Sequence, residues 1–472
     1  MKQYVDRFTQ VLQKGFRYVT QQAALTGESI FNLRHTDAGL ILSSVVIGMS
    51  VGVAIVVFHS IMIGFEKFFS FIFDETAAVP FVRFFALPLV AGLGGLGVGI
   101  LNNTIFQETH GHGFESVVEA IRAKGGRLKG RLAVQTMLNA AISISSGGGG
   151  GREAPTILLG SALGSRMGQA VDLKSYQLRL LSAAGASAAM AGIFNAPLGG
   201  VIFAVEVILG KLTLVSIMPV VLSAVMATAT TRFFLGNDPL LIQPPTISVH
   251  WYDYFLLAVV GMLSGFATIY FLQAFRLTRV SMRRWLSRIE PMWRPAIGGL
   301  IAGTLIAISK DLLETTYDPI NKAIRGEGIL WLALVTLLLK PIAAGVTLGS
   351  GGEGGTFAPA LKFGALFGFV VGSLLSFVIP GVQPGLYAVV CAAAVIAGSF
   401  YAPLSAALIL FEVSDNYEIL LPLLFCTMFS ILVVRKMRGH TFNPNQRSLE
   451  DEAIAHGTKD YTQPVKRTSE FL

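Results

Sequence analysis

The sequence predicts an all-α polytopic membrane protein made of two inverted-topology repeats, each built from tilted and discontinuous helices. Three observations carry the prediction: apolar runs of spanning length, two blocks that recur in order in the second half, and glycine-rich breaks between apolar stretches. Only 14% of the 472 residues are charged and 53% are hydrophobic, whereas a soluble domain carries about 25% charged residues. The mean hydropathy is +0.63.

The first run, "LILSSVVIGMSVGVAIVVFHSIMIGF" (40–65), follows residues 1–36, which carry Lys2, Arg7, Lys14, Arg17 and Arg34. A secretory signal would place its apolar core sooner, so 1–36 reads as a cytoplasmic segment. Further runs are "FFALPLVAGLGGLGVGIL" (84–101), "TLVSIMPVVLSAVMATAT" (213–230), "YFLLAVVGMLSGFATIYFL" (254–272) and "ILWLALVTLLLKPIAAGVTLG" (329–349). Several approach or exceed the roughly 20 residues that cross a bilayer as a helix. Arg276, Arg279, Arg283, Arg284 and Arg288 crowd a short loop, while "GNDPLLIQPPTISVH" (236–250) holds no Lys or Arg. That asymmetry is the positive-inside pattern. It places 276–294 in the cytoplasm, 236–250 outside, and a crossing at 252–275 between them. The net charge of +8 therefore reports topology, and nucleic acid is not an expected partner. Cys391 and Cys426 both lie in apolar stretches and read as small core residues, not as a disulfide or a metal site.

The repeat is visible directly. "GREAPTILLGSALG" (151–164) aligns with "GTFAPALKFGALFG" (355–368) at an offset of 204, and "AGIFNAPLGGVIFAVEV" (191–207) with "AGSFYAPLSAALILFEV" (397–413) at 206. The chain divides into residues 1–36, a membrane domain over 37–440 and a short cytoplasmic tail, 441–472. Within the domain, repeat one covers about 37–235 and repeat two about 250–440. The repeats face opposite ways, because the lead-in to the first run is basic and the lead-in to 252–275 is not. Repeats of this kind hold their site near the midplane, where broken helices meet.

The breaks supply the chemistry. A glycine run opening into a helix exposes main-chain N–H groups that have no intrahelical partner, and with the helix dipole these bind anions. The candidates are Gly151, Arg152, Glu153 and Ala154, then Gly355, Thr356, Phe357 and Ala358, and third Gly111, His112 and Gly113, which open "GHGFESVVEAI". Dipoles without a formal charge suit conduction, which needs weak binding. Glu153 is itself an anion, so its carboxylate can occupy such a site and close it, as a gate and a proton carrier. Arg152 reads as a structural residue paired inside the protein. Gly160, Gly164, Gly364 and Gly368, at four-residue spacing, read as helix-packing positions. No phosphate loop of the G-x-x-x-x-G-K-[ST] type is present. The absence of H-E-x-x-H, and of a paired Asp motif within the spans, argues against an enzyme.

On these residues the chain resembles the CLC family of chloride channels and chloride/proton exchangers, over roughly 37–440. Its "GREAP" (151–155) resembles the family's G-[KR]-E-G-P segment and its "GTFAP" (355–359) the G-x-F-x-P segment, while "GHGFE" (111–115) follows G-S-G-I-P loosely. The resemblance implies that Glu153 is the gating glutamate and that the amides near Phe357 and Ala358 contact the central anion. It puts His112 at the coordinating serine and Glu115 at that motif's proline. Phe442 is the nearest positional match to the inner-gate tyrosine. Of the two carboxylates that end the interface helix in exchangers, Glu206 is present and Val207 stands at the relay position. A Val there resembles channel members, so passive chloride conduction is the expectation. Proton-coupled exchange is the alternative, with Glu153 and Glu206 as relay candidates. Transport of some other anion is the remote one. The resemblance further implies a homodimer with one pathway per subunit, joined through 191–207 and 397–413, in the inner (plasma) membrane with both termini cytoplasmic. The tail is too short for paired CBS domains. No metal or organic cofactor is expected, only bound chloride ions.

Overall fold

The computed structural model describes residues 37–77, 80–106, 114–210, 214–237, 241 and 253–438. Sixteen α-helices lie within them. In repeat one these are α1 (Asp37–Ala77), α2 (Pro80–Ile100), α3 (Phe114–Ala123), α4 (Gly130–Ser145), α5 (Glu153–Ala170), α6 (Ser175–Phe194), α7 (Pro197–Phe203) and α8 (Leu214–Leu235). Repeat two follows with α9 (Asp253–Trp285), α10 (Arg294–Ile308), α11 (Asp318–Arg325), α12 (Leu330–Ser350), α13 (Phe357–Ser376), α14 (Pro384–Phe400), α15 (Pro403–Ser414) and α16 (Leu420–Arg438). Two π-helical turns, Leu101–Phe106 and Ala204–Leu209, extend α2 and α7. Seven helices among the described residues are long and apolar enough to cross a membrane. The protein is a multi-pass membrane protein.

One crossing differs from expectation. Helix α9 does not stop at residue 275 but runs 33 residues to Trp285, about 50 Å at 1.5 Å per residue. Arg276, Arg279, Arg283 and Arg284 therefore ride on its last turns, and only Arg288 lies beyond it. Arginine is a good helix former, and its long stem carries the charge back to water from a helix that overruns the hydrocarbon.

The repeats share their packing as well as their sequence. Helix α1 meets α8 through Gly48 and Gly52, and α9 meets α16 through Gly261 and Gly265. Helices α5 and α6 close on each other at Gly160 and Gly164, and α13 and α14 at Gly364 and Gly368. A Cβ at Gly160 would strike the Gly185 carbonyl, one at Gly164 the Leu181 carbonyl, and one at Gly368 the Tyr387 carbonyl. The expected packing role of these four glycines holds. Since lipid is as apolar as a side chain, close backbone contact is what binds such helices. We expect Gly164→Ala to lower stability by about 2 kcal/mol; an unchanged thermal unfolding midpoint of the purified protein would contradict this. Cys391 and Cys426 are both buried and free, in line with their core assignment.

Each repeat ends one helix at a residue in the left-handed region before an A-P-L turn: Asn195 at φ 56° before α7, and Tyr401 at φ 58° before α15. The two helices that follow cap each other. Glu206 accepts from the N–H groups of Leu404 (3.3 Å) and Ser405 (2.9 Å) at the start of α15. Glu412 accepts from those of Leu198 (3.1 Å) and Gly199 (2.7 Å) at the start of α7. This reciprocity ties the repeats together away from the glycine breaks.

Candidate functional site

The two glycine-rich leads bring two helix starts to one point. Helix α4 ends at Ser145 and α12 at Ser350, and both segments then turn through glycines in the left-handed region, Gly147 (φ 110°) and Gly351 (φ 99°). A side chain disfavours that region. The two segments next meet backbone to backbone. Gly151 N–H donates to Gly355 O at 2.7 Å and Gly355 N–H donates to Gly151 O at 2.6 Å, an isolated antiparallel bridge. Just past it, α5 starts at Glu153 and α13 at Phe357. Neither preceding residue, Arg152 or Thr356, closes its helix start with a side-chain hydrogen bond.

Glu153 lies across this junction and is fully buried. Its Oε2 accepts from the Ala358 N–H at 3.3 Å, while Oε1 has no hydrogen-bond partner among the described residues. A Cβ on Gly151 would collide with Oε2 and stand 2.7 Å from the Ala358 Cβ. Glycine at 151 thus makes room for the carboxylate. A carboxylate oxygen on a helix-start amide occupies the position that amide would offer to a dissolved anion.

Arg152 is held by an aromatic partner, its guanidinium 5.4 Å from the centroid of Tyr317. Burial pushes the Tyr317 hydroxyl up to about 12, so it stays neutral beside that charge. Arg152 also lines a cavity of about 140 Å³ with His59, Asn195 and Thr231. On another side of the junction the rings of Phe194, Phe357, Phe400, Phe114 and Phe203 form a continuous file. Their successive centroid separations are 5.0, 5.4, 6.2 and 5.6 Å. Phe357 itself is buried, so this wall excludes water and strengthens the dipoles it borders.

Of the sequence-predicted residues, Gly151, Arg152, Glu153, Gly355, Thr356, Phe357 and Ala358 come together here. Gly111, His112, Gly113 and Phe442 lie outside the described residues. Glu115 sits in the first turn of α3, exposed, 3.9 Å from Arg279. Glu206 is committed to the α15 start, where Ser405 Oγ donates to it as well, at 2.5 Å. Val207 is buried and its carbonyl accepts from Arg122.

Two features escape the sequence reading. Lys340 on α12 and Lys362 on α13 are both buried and meet Glu314, which precedes α11. Glu353, in the turn before α13, is also buried and lies within electrostatic reach of Arg279. The signal available for the lysines is a charge inside an apolar run, "LLLKPIAAG" and "APALKFGAL".

Residues 94–435 match the family model described as voltage gated chloride channel. A voltage-gated ClC-type chloride channel of Yersinia pseudotuberculosis is 30% identical over 405 residues, covering 84% of this chain and 96% of that one. A putative ClcB-like chloride channel protein of Ralstonia nicotianae is 30% identical over 342 residues, covering 71% and 79%. Among solved structures, a slow cyanobacterial Cl⁻/H⁺ antiporter superposes with a TM-score of 0.76 at 22% identity, over 90% of this chain and 100% of that one. A CLC-type fluoride/proton antiporter gives 0.73, also at 22% identity, over 87% and 98%.

Proposed function

The chain belongs to the voltage-gated chloride channel family, and from that membership we propose that it carries chloride, or a similarly small anion, along a path closed by Glu153. It is a membrane transport protein, not an enzyme. One observation carries the gate assignment: the Glu153 carboxylate rests on the Ala358 amide where α5 and α13 begin. An arriving anion competes with that carboxylate for the same dipoles. A proton on Glu153 removes the competing charge and lets the side chain leave. The bound species in this reading is chloride held by main-chain amides.

For the transport mode, Val207 at the relay position supports passive conduction, since a buried Val carries no proton. Coupled exchange is the second reading. It is favoured by the antiporters that share this fold and by Glu353, a buried carboxylate that offers a different proton-loading group. The arginine-rich end of α9 faces the cytoplasm of the inner membrane in this proposal, with both termini on that side. Leu198 and Leu404, exposed on α7 and α15, suit a homodimer contact with one pathway per subunit.

Proteoliposomes test the mode directly. With an outward chloride gradient we expect chloride efflux carried electrically, with no uphill proton movement detected by an internal pH dye. Proton uptake locked to the chloride gradient would establish exchange instead, and no anion flux at all would end the proposal.

A further inference from the structure

We propose that Lys362, positioned by Glu314 and Lys340, acts beside Arg152 as a second positive neighbour of Glu153 and tunes the pH at which the gate opens; this rests on the gate assignment above. Lys362 lies four residues after Ala358 on α13, one helical turn of about 6 Å along the same face. Ala358 is the residue whose amide holds the Glu153 carboxylate. The ammonium thus belongs to the helix turn that follows the gate amide, and with Arg152 it lies within electrostatic reach of Glu153.

The lysine is not free to wander. Its Nζ donates to the Leu313 carbonyl and stands 3.8 Å from Glu314 Oε2. Lys340 Nζ donates to the Leu312 carbonyl and pairs with Glu314 Oε1. All three charged side chains are at most 2% exposed. Two buried cations thus share one carboxylate. A tether between α12, α13 and the connection before α11 needs only one such pair, and a second intramembrane charge is costly unless it has a task.

The surrounding charges fix the sign. Around Lys362 stand Glu314, Asp311, Glu153 and Lys340. Around Glu153 stand Arg152 and Glu314, and Tyr317 lies within reach of both Arg152 and Glu153. From α1, His59 and Glu66 act on Arg152. Lys362 favours the charged, closed form of Glu153, and Glu314 opposes it. Removing Lys362 lets Glu153 take up its proton at higher pH. Removing the charge of Glu314 does the reverse.

The test is anion flux against pH in proteoliposomes, for Lys362→Met, Lys362→Arg and Glu314→Gln. The expected midpoints move up by about one pH unit for Lys362→Met and down by a similar amount for Glu314→Gln, with Lys362→Arg close to wild type. A cluster that is only structural would lower the thermal midpoint and leave the flux midpoint where it is, which overturns the proposal. If Lys362→Met does not fold, the direction of the Glu314→Gln shift decides alone. Each substitution is repeated with Glu153→Gln. If flux with Glu153→Gln alone still varies with pH, the gate assignment fails. If that variant is flat and Lys362→Met on wild-type Glu153 shows no shift, only the present inference fails.

Discussion

Glu153→Gln is expected to give anion flux that no longer rises as the pH falls. In the proposed gate the closed state is held by a charged carboxylate on the Ala358 amide; the Glu153 side chain is fully buried and accepts from that amide at 3.3 Å. A charged acceptor holds such an amide roughly twice as strongly as a neutral one. Protonation is therefore the step that weakens the plug. Below saturation, a single proton-binding step changes the open fraction by about tenfold per pH unit. Glutamine is permanently neutral and nearly the same size, so it fits over Gly151 without restoring the charge. Its flux at neutral pH should match or exceed the maximum that wild type reaches in acid, and its pH profile should be flat. Radiotracer or electrode measurement of chloride efflux across about three pH units reads both. An undiminished acid-activated slope in the Glu153→Gln protein would place the gate on another group.

The spans and the repeats are legible in the sequence because few constraints impose them. A bilayer demands long apolar helices whatever their partners, and inverted repeats duplicate the small-residue positions on which helices close. Gly160 and Gly364 are recognisable as packing sites for that reason. The meeting of Gly151 and Gly355 is legible too, since both precede A-P turns with the same glycine-rich lead. What stays hidden depends on tertiary pairing. Lys340 and Lys362 each sit in runs whose average is strongly apolar, and their shared carboxylate, Glu314, comes from a connection with no pattern of its own. The end of α9 is hard to place because arginines that mark a cytoplasmic edge also continue a helix. For Glu206, the sequence offers two uses of one carboxylate, and only the position of α15 distinguishes them.

That last ambiguity yields a second large effect. Glu206→Ala is expected to destabilise the protein by about 4 kcal/mol, since it strips the acceptor from two helix-start amides and a hydroxyl in a medium with little water to replace it. The donors left behind are Leu404 N–H, Ser405 N–H and Ser405 Oγ. Glu412→Ala should behave alike through Leu198 and Gly199. Glu206→Gln keeps one carbonyl acceptor, so its cost should be nearer about 1–2 kcal/mol. Thermal unfolding with size-exclusion profiles measures all three. The neutral variant also separates structure from transport. In Glu206→Gln the ties between repeats survive in weakened form, while any capacity to pass a proton is gone. Unaltered proton and chloride movement in that folded variant marks Glu206 as a cap across the pseudo-two-fold. Chloride flux that persists while a wild-type proton flux disappears would make the same carboxylate a relay, and passive conduction would no longer describe this chain.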